Sequence, residues 1–151
     1  MKRALVYLGL VALAACRGGG EERRVITSTA APAPIGPYSQ AVLAGGTLFL
    51  SGQLGIDPAT GDLVPGGIER ETRKALENCR AILREAGFDL AEVVQVQALL
   101  EDMDDFAAFN RVYAEFFPRH PPARATFEVG DLPRNARVEI VMTAVKGQRG
   151  K

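Results

Sequence analysis

The chain switches between two hydrophobic periods, and each switch marks an element. Residues 48–54 read as a strand, with Leu48, Phe49 and Leu50 leading into Ser51-Gly52-Gln53-Leu54. A glycine inside a strand marks a bulge or the close approach of another backbone. Residues 41–43 begin an earlier strand, joined to it through the Ala44-Gly45-Gly46-Thr47 turn. Over residues 68–86 the period becomes helical: Ile68, Ala75, Leu76, Cys79, Ile82, Leu83 and Ala86 form one apolar stripe, and Gly87 is placed to end it. Residues 93–100 alternate again, Val94, Val96, Ala98 and Leu100 facing one way and Gln95 and Gln97 the other. A second helix opens at 101–105, with Asp102 or Asp104 as its cap, carries Phe106, Phe109, Tyr113, Phe116 and Phe117, and stops at Pro118.

Two more strands follow. Ala123, Ala125, Phe127 and Val129 alternate with Arg124, Thr126 and Glu128, so the apolar side is expected to lie on a core. In the last, residues 137–145, Val138, Ile140, Met142 and Ala144 line one side. Its other side is also apolar apart from Arg137 and Glu139, which predicts a central strand or one covered on both sides, by another subunit for example. The order strands, helix, strand, helix, strand, strand predicts an α+β domain, a mixed sheet with two helices on one face. The bare sheet face calls for association, so a symmetric oligomer is expected.

The first residues have another purpose. Met1-Lys2-Arg3 is basic, residues 4–15 carry no charge, and Leu13-Ala14-Ala15-Cys16 resembles the bacterial lipobox. An apolar run of that length is too short for a bilayer, which needs roughly 20 residues, and suits a signal peptide. The resemblance implies cleavage before Cys16, lipidation of Cys16 and an envelope protein anchored on the periplasmic side. Arg17 in place of Asp favours the outer membrane. The expected organisation is a signal peptide over 1–15, a flexible tether over 16–31 built on a glycine triplet and balanced charge, and a domain over 32–148.

Composition removes several classes of function. Lys plus Arg and Asp plus Glu number 18 each, so no basic stripe argues for nucleic acid. Of two cysteines, Cys16 belongs to the lipobox and Cys79 to the buried stripe, so a disulfide framework is excluded. One histidine without a companion cysteine disfavours zinc, and no phosphate-binding glycine motif occurs.

The candidate chemistry is two charges on strands. Pro121-Pro122 stiffen the approach to Arg124, whose planar fork suits a carboxylate; the plainer reading is a surface arginine paired with a neighbouring acid. Glu139 is partly enclosed on its strand and needs a partner or a water, Arg137 being one candidate. Asn110 caps a loop or points into a pocket.

Together, Ala33-Pro34-Ile35-Gly36-Pro37-Tyr38, Leu50-Ser51-Gly52-Gln53, Asp105-Phe106, Asn110, Pro122-Ala123-Arg124 and Val138-Glu139-Ile140 resemble the Rid family, also called YjgF, over residues 32–146. The closest likeness is to its RidA branch of 2-iminobutanoate/2-iminopropanoate deaminases. The resemblance implies a Bacillus chorismate mutase-like fold, a homotrimer with clefts between subunits, and a last strand inserted within the sheet. It implies that Arg124, with the backbone N–H of Thr126, clamps the carboxylate of a 2-imino acid. Glu139 would orient the attacking water and move protons, ionised at an ordinary carboxylate pKa, with Tyr38, Ser51, Gly52 and Asn110 lining the pocket. No metal or cofactor is implied. Thr126 stands where the family usually has Cys; since the contact there is backbone, activity is expected to survive. The same clefts also suit a non-catalytic trimer that binds small carboxylates or a protein partner at the envelope.

Overall fold

The computed structural model describes residues 23–147. The signal-peptide reading of 1–15, Cys16 and the first part of the tether lie outside the described residues. Eight main elements follow: β1 Arg24–Ile26, β2 Ala41–Ala44, β3 Thr47–Leu54, α1 Gly67–Glu85, β4 Val93–Leu100, α2 Phe106–Phe116, β5 Ala123–Glu128 and β6 Val138–Val145. The strands make one mixed sheet in the order β1-β2-β3-β6-β4-β5, every pair antiparallel except β4 with β5. The last strand is therefore central, as its two apolar sides predicted. Both helices cover one face: Leu76, Cys79, Ile82 and Leu83 of α1 and Phe109 and Val112 of α2 pack on Leu48, Leu50, Val96, Ala98, Ile140 and Met142.

α1 starts abruptly at Gly66, whose backbone is left-handed and which provides no side-chain cap. Its other end closes as expected, with Gly87 at φ 78° and Phe88 N–H donating to the Leu83 carbonyl. The α1 face also buries polar groups. Asn78 donates to the Leu54 and Ile56 carbonyls, and Glu71 accepts from the Arg137 N–H. They fasten the ends of β3 and β6 to the helix, at the rim where the site is built. Cys79 is wholly buried with its Sγ toward the Ile140 carbonyl, and burial pushes its thiol pKa up, which keeps it unreactive.

Three expectations need correction. The tether assigned to 16–31 ends sooner, because Arg24–Ile26 pairs with β2 and both Ile26 and Ala31 enter the core. Three residues of strand among small side chains leave no period to read. Val94 does not share a face with Val96: a register shift between Val93 and Gln95 buries Val93 and turns Val94 out. The third concerns β5, whose apolar residues Ala123, Ala125 and Phe127 are exposed while Arg124 and Thr126 are half-buried. β5 is the sheet edge, and its polar side is the one that faces α2.

Candidate active site

Gln40 builds one half of the site. Its amide is nearly fully buried, accepts from the Ser28 N–H at 2.6 Å and donates to the carbonyls of Ser28 and Pro32 at 3.1 and 2.8 Å. That network pins residues 32–40, a segment whose prolines rule out regular structure, across the end of β3. Ser51 completes the attachment by donating from Oγ to the Ser39 carbonyl at 2.7 Å. Tyr38 is thereby held beside Gly52, the two lining a small cleft of ≈ 30 Å³ with Pro34, Gln53 and Leu54. Tyr38 itself stays 46% exposed, its hydroxyl accepting from the Ile35 N–H at 3.2 Å.

Gly52 sits where the β3–β6 register breaks between Leu50 and Gln53. A Cβ added to it would lie 1.6 Å from Glu139 Oε1, so only glycine lets that carboxylate lie against the β3 backbone. The approach anticipated at this glycine is thus made by a side chain, and the bulge is present as well. Among the described residues Glu139 has no side-chain hydrogen bond or ion pair, and burial alone raises its pKa from the ordinary value. This corrects the ordinary carboxylate pKa assumed from sequence. Arg137 is not its partner: that guanidinium is bound to Asp105 at 2.7 Å.

The other half lies at the β5 edge. Arg124 Nη2 donates to Asn110 Oδ1 at 2.7 Å, so Asn110 holds one corner of the guanidinium. The guanidinium carbon lies 4.4 Å from the centroid of the Tyr113 ring, 5.1 Å from that of Phe109 and 5.8 Å from that of Phe106. No carboxylate of the described residues pairs with it, in contrast to Arg73, Arg111 and Arg137. The plain alternative of a surface ion pair is therefore not what this arginine does. Thr126 follows two residues later on the same side of β5.

The two halves do not meet within one chain. Arg124 is in register with Val96, which faces the helices, whereas Glu139 is in register with Leu99 and Leu54 on the opposite face, where both pack with Leu132 and Ala136 in a second small cluster. They are also two ladders apart, about 10 Å at the usual strand spacing. Tyr38, Ser51, Gly52 and Glu139 form one constellation; Asn110, Arg124 and Thr126 form another. Sequence reasoning passed over Gln40 and the rings around Arg124. The former has no motif, and the latter looked like a core stripe. Among the described residues no cluster of three or more His, Cys, Asp and Glu side chains is placed to hold a metal.

Residues 28–146 match the family model described as endoribonuclease L-PSP. A goat (Capra hircus) protein named 2-iminobutanoate/2-iminopropanoate deaminase is 52% identical over 125 residues, 83% of this chain and 91% of its own. Among solved structures, RidA from an Antarctic Psychrobacter species gives a TM-score of 0.79 at 39% identity, covering 82% of this chain and 99% of that one. E. coli TdcF with bound serine gives 0.79 at 35% identity, with the same coverage. The chain belongs to the Rid (YjgF, L-PSP) family, and its fold is the chorismate mutase-like α+β fold of those relatives.

Proposed function

We propose that this protein hydrolyses 2-imino acids to 2-oxo acids and ammonium, at sites completed by a second copy of the chain. The observation that carries the reading is the pairing of two unmet needs: an arginine fork without a carboxylate, and a half-buried carboxylate without a partner. An imino acid and a water meet both. The name of the goat relative supports the reaction, and the serine bound to TdcF supports a ligand of that size bearing a carboxylate.

Arg124 takes the substrate carboxylate through its N–H edge and fixes the C=N carbon in place. Glu139 accepts a proton as water adds to that carbon and passes it to the nitrogen. It then takes the hydroxyl proton and hands it to the amino nitrogen as the carbinolamine collapses, so that the C–N bond breaks with ammonia leaving, to be protonated to ammonium in water. A base whose pKa burial has raised toward neutrality suits both transfers. The C=N bond is electrophilic enough that positioning and one proton relay suffice.

The second copy follows from the faces. Phe49, Val25 and Phe127 are each about half exposed on the bare side of the sheet, which also carries Glu139. A threefold assembly would bury these side chains and bring one chain's β5 edge to another's Glu139. Sedimentation equilibrium of residues 17–151 is expected to give three times the monomer mass; a monomer would exclude shared sites. In the direct assay, an amino-acid oxidase generates 2-iminobutanoate in situ, and the protein accelerates ammonia release. No acceleration would leave the carboxylate-binding module as the better account. RNA serves as the control substrate, and with 18 basic against 18 acidic side chains the chain has no charge excess to attract it.

We also propose that the domain is lipid-anchored through Cys16 at the envelope, on the strength of the lipobox-like Leu13-Ala14-Ala15-Cys16. Metabolic labelling with palmitate is expected to mark the wild type and not Cys16→Ser; label retained in the variant would end that reading.

A further inference from the structure

We infer that Tyr113 and Phe109, with Phe106 at the rim, are positioning residues whose ring faces hold the Arg124 guanidinium and leave its N–H edge open for a ligand carboxylate. The inference rests on Arg124 as the carboxylate clamp and adds what makes that clamp available. A half-buried cation ordinarily acquires an acid. Such an acid takes the N–H fork, the same atoms a substrate carboxylate needs. Aromatic rings ease the conflict, because their negative faces attract the cation without binding its N–H fork as a carboxylate would.

The distances fit that division. Tyr113 lies closest at 4.4 Å, with Phe109 and Phe106 at 5.1 and 5.8 Å. Among the described residues only Asn110 Oδ1 takes an N–H, on Nη2, out of the five that a guanidinium offers. Tyr113 and Phe109 are themselves buried and tilted against one another at 5.5 Å, so the platform is rigid. They belong to consecutive turns of α2, which also carries Asn110, so one helix supplies both the rings and the hydrogen-bond acceptor. The Tyr113 hydroxyl has no hydrogen-bond partner among the described residues and, with its pKa pushed up to about 12 by burial, stays neutral. What Tyr113 contributes is its ring.

The test uses the full chain, with Kd for 2-oxobutanoate from calorimetry and KM and kcat from ammonia release. Tyr113→Phe is expected to match the wild type. Tyr113→Leu is expected to raise Kd and KM about 10-fold, the worth of one good cation–π contact, with kcat within about 2-fold. Phe106→Leu, at an exposed position where folding is not at stake, is expected to raise both about 3-fold. Folded Tyr113→Leu with unchanged Kd and KM would overturn the inference, as would a Tyr113→Phe variant as impaired as Leu. Should Tyr113→Leu not fold, Phe106→Leu with unchanged Kd overturns it. Arg124→Ala separates the two levels: unchanged Kd there would remove the clamp itself, whereas weakened binding with a normal Tyr113→Leu would remove only the rings' part.

Discussion

Glu139→Gln is expected to lower kcat for imine hydrolysis about 10²–10⁴-fold, the usual worth of a positioned general base, while leaving Tm equal to or above that of the wild type. The two halves of this result come from one cause. Burial against Gly52 and β3 raises the Glu139 pKa, so the ionised form is disfavoured in the folded chain. The folded carboxyl holds its proton more tightly than the unfolded one. Its protonation therefore favours the fold, a contribution complete below the unfolded pKa and lost as pH rises through the raised folded value. At neutral pH the wild type holds a carboxylate in a place that does not favour it, and glutamine keeps the shape without the charge. Activity runs the other way, needing the ionised base, so the acid limb of kcat/KM is expected above the ordinary value of 4.5. Thermal melts of both proteins from acid to neutral pH, beside pH–rate profiles, check the pair. A Gln variant that melts well below the wild type at neutral pH, or that keeps its rate, would contradict this account.

Arg124→Ala is expected to reduce kcat/KM about 100-fold or more, chiefly through KM, since a charge-assisted bidentate contact is worth about 3 kcal/mol and each 1.4 kcal/mol is tenfold. Arg124→Lys is expected to recover only part of the loss, because an ammonium keeps the charge and lacks the planar fork. It would also lie less well against Tyr113 and Phe109, whose rings receive the delocalised guanidinium. Stability should fall modestly in Arg124→Ala, as Asn110 Oδ1 loses its donor in a half-buried position. Steady-state kinetics with a short and a branched imino acid tests the point. Equal losses for both would mark a contact to the shared carboxylate, and an unchanged KM for either would place the carboxylate elsewhere.

The alternation of residues 123–129 carried information whose direction only the fold supplied. The sequence identified a strand with two unlike sides, and an apolar side ordinarily lies on a core. Here it faces outward, because β5 is the sheet edge and α2 covers its polar side. Arg124 can lie inward since Asn110 and three rings receive it, and those contacts come from residues 11 to 18 positions earlier in the chain. β1 escaped notice for a different reason: with three residues it is too short for an alternation of period two to show, and pairing with β2 defines it. Gly52 was legible as an irregularity, but the carboxylate beside it belongs to a strand some 87 positions later.

Local patterning by itself determined the helices, five of the six strands of the described residues and the chemical identity of Arg124 and Glu139, because burial period and turn chemistry are written within short windows. Tertiary structure alone decided which side of β5 is inside, what holds Arg124, what raises the Glu139 pKa, and that the two groups lie on opposite faces of one sheet. Those properties depend on which distant segments become neighbours, and strand order, unlike strand existence, is set by packing the whole chain.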